Sequence, residues 1–290
     1  MRRLVINADD FGLTSGINRG IAEAHERGVV TSATLMANGP QFEDAAQLAP
    51  RLPQLAVGCH IVMLDGAPIL NPQLVPSLLG PDKKELRSSW GTFARAAMMN
   101  ELQADEIEAE AGAQIRKLQQ AGISVSHVDS HKHAHLFPKV LRPILRAAKA
   151  CSVRAIRNPF EPVKLAQAAT SASVARRWLA AAMVRIFAAD FAKIMREEGM
   201  LTPDGCLGIV ATGAWNEKDL AWLIEHMPEG TWELVCHPGY VDDQLRNVRT
   251  RLRESRTTEL RLLTSPVTRQ MLADQEIQLI SFRGFAAASA

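Results

Sequence analysis

The sequence predicts an α/β chain arranged as a distorted (β/α) barrel, with parallel strands and a functional site at their C-terminal ends. Short β-branched or apolar runs alternate with helix-period segments across all 290 residues, as repeated βαβ units require. Eight such runs suit a barrel better than the rival architecture, a doubly wound open sheet. Most of the residues able to do chemistry also gather where those runs end.

The strand candidates, in order, are Leu4–Ala8, Val30–Met36, Ala56–Met63, Val125–Ser130, Val153–Arg157, Leu207–Ala211, Glu233–Cys236 and Gln278–Phe282. Amphipathic stretches separate them, among them Ile17–Arg27, Ala104–Ala121, Lys139–Ala150, Glu217–His226 and Thr268–Ala273. Ser15 is placed to cap the first helix, and Gly28 and Gly122 stand where helices end before the next strand. Two stretches exceed a simple crossover. Residues 64–103 carry Pro68, Pro72, Pro76 and Pro81 and read as an irregular insertion. Residues 160–200 are Ala-rich with scattered Arg, as one or two helices over a sheet face would be. No repeat or linker marks a boundary, so residues 1–290 are expected to form a single catalytic domain with insertions near 64–103 and 160–200.

Composition narrows the function classes. With 47% hydrophobic and 22% charged residues, the chain has ample core and no disorder signature. A net charge of +2 gives no reason to expect a nucleic-acid partner. No apolar run reaches the ~18 residues of a membrane span, and the N-terminus meets Asn7, Asp9 and Asp10 too early for a secretory signal. Four cysteines without a CxxC pair are expected as reduced, buried thiols in a cytoplasmic protein. The oligomeric state is not encoded legibly, and a homodimer is compatible with everything above.

The chemistry concentrates in a few places. Four of the eight histidines lie between positions 127 and 135, in His127-Val-Asp129-Ser-His131-Lys-His133-Ala-His135. The four histidines and Asp129 are all odd-numbered, so wherever the run is extended they point to one side. A row of imidazoles and a carboxylate on a buried strand is costly unless something organises it, and a divalent metal does so. Asn7-Ala-Asp9-Asp10-Phe11-Gly12 follows an apolar run, and neighbouring carboxylates on a bend can divide the tasks of ligand and base. Taken alone, it is equally an ordinary strand-to-helix turn. Gly58-Cys59-His60, Cys236-His237-Pro238-Gly239 and the pair Arg154 and Arg157 complete the set. Asp10, His60 and His131 can meet as a two-His, one-carboxylate site with a position left open for water. Members of the run that are not ligands would orient ligands or face substrate.

Together the NADDFG opening, Gly58-Cys59-His60, the H-x-D-S-H-x-H-x-H run and Cys236-His237-Pro238 resemble the YdjC-like carbohydrate deacetylases. That group includes chitooligosaccharide deacetylases and hopanoid-biosynthesis-associated deacetylases. The resemblance runs from Leu4 to Phe282 and implies a barrel-like fold and removal of N-acetyl groups from amino sugars with one divalent metal ion. It implies Asp10, His60 and His131 as metal ligands, Asp9 as catalytic base and His237 as acid. Asp129, His133, His135 and Arg157 are then substrate-facing or supporting residues, Arg157 orienting His237 or an acid. Cys59 departs from the apolar residue usual at its position. Softness favours zinc, and magnesium is the alternative. Scarce aromatics, 5% with one tyrosine, favour a short or lipid-linked amino sugar over polymeric chitin.

Two other readings compete. A metal-dependent phosphoesterase or isomerase would want a Gly-rich phosphate loop or more carboxylates near the histidines. A non-catalytic sugar-binding protein would have no use for paired Asp9 and Asp10. The six arginines of residues 246–261, set against Glu254 and Glu259, read as a solvated, partly ion-paired helix face.

Overall fold

The structure, a computed structural model, describes residues 1–162 and 185–288. Its strands are β1 (Arg2–Phe11), β2 (Ser32–Leu35), β3 (Ala56–Ile61), β4 (Val128–Ser130), β5 (Gly205–Leu207), β6 (Gly230–Cys236) and β7 (Gln278–Leu279). All pair in parallel, in the order β4-β3-β2-β1-β6-β5, and β7 joins β1 beside Leu4. Parallel bridges Val128↔Ile156 and Ala155↔Leu201, with the Cys206 N–H donating to the Phe160 carbonyl at 3.2 Å, carry the pairing onward from β4 towards β5. The curled sheet with helices outside it is the (β/α) barrel-like fold the alternation predicts.

Three strands differ from expectation. Val153–Arg157 contributes bridges and no full strand. The strand expected at 207–211 lies at Gly205–Leu207, because Gly208 turns the chain at φ +91. The run at 278–282 pairs over two residues and then becomes the helix Phe282–Ala288. At the first helix, Thr14 is the cap in place of Ser15, accepting from the Ile17 N–H at 3.2 Å.

In-register neighbours on parallel strands share a face, which stacks the barrel interior in layers. The bottom is apolar: Val5, Ala155, Phe282 and Phe285 pack together, and the Phe282 ring stacks on His127 at 3.7 Å between centroids. Gly58 makes room for that histidine, since a Cβ there would stand 2.5 Å from the imidazole. Above lies a polar layer that includes Asn7, Asp9, Thr34, His60, Asp129 and Glu233, all 3% exposed or less. The large apolar core fills the space between the sheet and its helices.

The insertion at 64–103 is irregular up to the helix Trp90–Met98. Glu110, fully buried in the helix Ala104–Gln120, pins it by accepting from the Ile69 and Leu70 N–H groups at 2.8 and 3.0 Å. Of the second insertion, residues 163–184 lie outside the described residues, and the described part includes the helix Ala188–Glu198. No described helix is long and apolar enough to cross a membrane. All four cysteines are free and buried, as expected.

Candidate active site

A cavity of about 860 Å³ opens at the C-terminal ends of the strands, floored by Asp9, Asp10, His60, His131, His133 and His237. Both acids of the first motif reach it through a local break in β1. The pairing with β2 shifts register between Ala8 and Phe11, and Asp10 takes a left-handed φ of +66. A regular strand would send adjacent side chains to opposite faces; the bulge turns both carboxylates toward one space.

Asp10 Oδ1 lies 3.7 Å from His60 Nε2 and 3.5 Å from His131 Nδ1, and those two nitrogens are 3.3 Å apart. Ligands in a tetrahedral shell with bonds of ~2.1 Å stand ~3.4 Å from one another, so the triangle has the dimensions of one face of such a shell. Asp129 prepares the central ligand. It pairs with His60 across β3 and β4, and its Oδ1 accepts from His60 Nδ1 at 2.7 Å, so that Nε2 faces the cavity and is the nitrogen free to act as a ligand once it loses its proton. Against burial, Asp129, Asp9 and Asp10 raise His60 to about 9. Burial would lift Asp10, but Arg256 and His131 hold it well below the usual carboxylate range. A second cluster, Asp9, His60 and Asp129, also has donor atoms within reach of one another. Its two carboxylates are already committed to Arg157, and Asp129 lies beneath the cavity floor.

Arg157, fully buried, is the hub of that lower layer. It donates to both Asp9 oxygens at 2.8 and 2.6 Å and to Glu233 Oε1 at 2.8 Å, and its Nη1 is ion-paired with Asp129 Oδ2 at 2.6 Å. Burial works to raise Asp9, yet Arg157, His60 and His237 together hold it well below the carboxylate range, so it is ionised at neutral pH. Glu233, for which burial outweighs Arg157, is raised to about 7. Thr34 Oγ1 ties the layer together, within 3.3 Å of Asp9, His60 and Asp129. His237 Nε2 sits 3.9 Å from Asp9 Oδ2, and burial pushes its imidazole down to about 4, leaving it neutral at pH 7.

The histidine run separates into different environments. The strand ends at Ser130, and Lys132 and His133 take φ values of +53 and +55, so alternation stops there. His127 is buried below the site, with Nε2 3.2 Å from Asn7 Oδ1. His131 and His133 reach the cavity, and burial pushes His133 down to about 3. His135 is buried against Ser130 Oγ and the Arg157 carbonyl, a supporting position.

The sequence reading missed Thr34, Glu233, Arg256 and Glu259. Glu233 interrupts an apolar strand, the same signal that drew attention to His60. Arg256 and Glu259 share a helical spacing with Leu252, Leu260 and Leu263, which places them on the buried face of the helix Glu254–Thr264. The solvated-face reading of 246–261 therefore fails for these two residues, which face the site.

Fold and site together define a (β/α) barrel-like protein with an Asp/His centre at the strand ends, the edge where such folds assemble catalysis. The model of the YdjC-like protein family matches residues 3–274, and the chain belongs to that family. It is 33% identical to a carbohydrate deacetylase of Brevibacillus brevis, over 97% of this chain and 98% of the relative. It is 32% identical to a chitooligosaccharide deacetylase of Salmonella typhimurium, over 97% and 98%. A crystal structure described as a candidate cellobiose-phosphate cleavage protein of Enterococcus faecalis superposes with a TM-score of 0.75 at 27% identity, covering 97% of each chain.

Proposed function

We propose that the chain is a carbohydrate N-deacetylase that hydrolyses the acetamide of an amino sugar with one divalent metal ion. The observation that carries the proposal is the Asp10–His60–His131 triangle on the floor of the cavity, in a family whose relatives are named carbohydrate deacetylases. Asp10 Oδ1, His60 Nε2 and His131 Nδ1 would hold the ion, zinc or magnesium. Bound there, the ion would supply Lewis-acid polarisation and lower the pKa of a coordinated water.

Asp9 is assigned as acceptor of the attacking water's proton. Arg157 keeps it ionised and aimed, which also makes it a weak base, suited only to an acidified water. His237 is assigned as donor to the departing amine. Its 3.9 Å approach to Asp9 lets the proton taken from water be the one delivered to nitrogen. The Arg157 grip on both Asp9 oxygens favours a second assignment, in which neutral His237 takes that proton itself and Asp9 stabilises the imidazolium formed. His133, whose buried Nδ1 has no partner among the described residues, is placed to bind a sugar hydroxyl. His135, Asp129 and Arg157 support from below. Apolar cavity residues such as Met36, Trp90, Leu136 and Val210 suit a short or lipid-linked amino sugar.

The test is equimolar release of acetate and free amine from a panel of N-acetylated sugars, run with Zn²⁺ and with Mg²⁺. Phosphate release from sugar phosphates, with no acetate from any acetylated sugar, would overturn the reading. An acetanilide with a good leaving group separates the two assignments. If His237 is only the acid, His237→Ala keeps activity on that substrate while Asp9→Asn loses it; if His237 is the base, His237→Ala loses both substrates.

A further inference from the structure

The helix Glu254–Thr264 carries two buried charged side chains three residues apart, Arg256 at 1% exposure and Glu259 at 2%. The Arg256 guanidinium donates through Nη2 to Asp10 Oδ2 at 2.5 Å and through Nε to the Leu252 carbonyl at 3.1 Å, so it is anchored in its own preceding turn. Glu259 Oε2 accepts from the His237 N–H at 2.5 Å and lies 4.0 Å from His237 Nδ1. Between these contacts the Gly239 N–H donates to the Arg256 carbonyl at 3.2 Å. One helix thus touches the carboxylate ligand and the proton-carrying histidine.

We propose that this helix aligns the site, Arg256 and Glu259 being positioning residues for Asp10 and His237 respectively. The Arg256 half rests on the metal reading above. A carboxylate with both oxygens free can chelate an ion through both and fill the position a substrate or water needs. Arg256 occupies Oδ2, so only Oδ1 faces His60 and His131. Charge buried this deeply is costly, and a hydrophobic side chain of similar volume would serve packing at least as well. Among the described residues Arg256 Nη1 has no hydrogen-bond partner, a cost that packing alone does not explain. Glu259 acts at the end of the neighbouring strand, β6. By holding the first backbone amide after β6, it fixes where the His237 ring projects.

The test is a double dissociation on the full chain, reading the Kd for Zn²⁺ and for Mg²⁺, each alone, by chelator competition, and kcat on the acetylated sugar at saturating metal. Arg256→Met is expected to weaken metal binding ~10–100-fold, as loss of a ligand's outer partner does. Arg256→Gln should fall between it and wild type, and Arg256→Lys should recover most of the affinity. Glu259→Leu is expected to lower kcat at least ~10-fold with metal Kd unchanged, and Glu259→Gln, which keeps an acceptor for the His237 N–H, to recover most of the rate. If Arg256→Met does not fold, the Gln and Lys variants carry the comparison. Wild-type metal affinity in Arg256→Gln or Arg256→Met overturns the Arg256 assignment. Equal loss of metal affinity in the Glu259 and Arg256 variants shows general loosening and overturns both. A wild-type chain that binds neither ion overturns the metal reading itself, and kcat unchanged in Glu259→Leu overturns the Glu259 half alone.

Discussion

Asp129 decides which nitrogen of His60 faces the cavity, and it does so without reaching the cavity itself. Its 2.7 Å bond to Nδ1 keeps the proton on that nitrogen whenever the ring is neutral, and Arg157 fixes Asp129 in turn. Asp129→Asn should therefore weaken metal affinity ~10–100-fold while the chain stays folded, measured by chelator competition beside a thermal melt. Unchanged affinity would mean that His60 needs no orienting partner. At this scale much of the site was legible in the sequence. Asp9, Asp10, His60, His131 and His237 all stand where polar residues end apolar runs, and all five meet at the cavity floor. What was not legible is orientation. That Asp9 and Asp10 point the same way depends on a φ of +66 at Asp10, which no residue type dictates. Arg157 was read as orienting His237 or an acid; it grips three carboxylates, partners drawn from β1, β4 and β6 that only the folded barrel brings together.

Elements place these residues, and their close approaches are where they fail. The first helix, Ser15–Glu26, packs Gly20 against the loop that carries His237, where an added Cβ would lie 2.5 Å from Gly239 Cα. The three nearest atoms, Gly239 Cα, N and C, are all backbone, so relief requires the loop to move. Gly20→Ala is expected to cost ~1–3 kcal/mol of stability and to lower kcat through displacement of His237. Urea denaturation and steady-state kinetics check it, and a variant of wild-type stability and rate would contradict the packing. Strand periodicity identified β1, β2, β3, β4 and β6 because each lies in a β-branched or apolar run. The strand expected to end at Ser130 does end there, and the even spacing of the histidines continues past it into a bend. The sequence reading took the arginines of 246–261 as one face, although the Leu252, Leu260 and Leu263 spacing sorts Arg256 inward.

Over the whole molecule, the barrel interior grades from an apolar plug through a charged layer to an open cavity. That gradient has a pH signature. Burial raises Glu233 from 4.5 to about 7, so the folded chain binds a proton there that the unfolded chain releases above pH 4.5. Excess protons on the folded side make stability fall as pH rises through that window and level off above it. Glu233→Gln removes this contribution. Between pH 4.5 and 7 the wild type should lose stability relative to Glu233→Gln, read from urea midpoints in chelator, and parallel curves would contradict the assignment. The barrel class was legible because alternation of runs is a global pattern. Its irregular seam between β4 and β5 was not, since Val153–Arg157 reads as a strand and holds only bridges.

The central claim is that Asp10, His60 and His131 hold a metal ion used to hydrolyse a sugar acetamide. The most direct measurement is acetate release from an N-acetylglucosamine oligosaccharide or glycolipid as Zn²⁺ or Mg²⁺ is returned to the metal-stripped chain. Activity that rises to a plateau at one equivalent in the wild type and stays at background in His131→Ala is the predicted result. Activity that survives stripping, or a His131→Ala chain that responds as the wild type does, would contradict it.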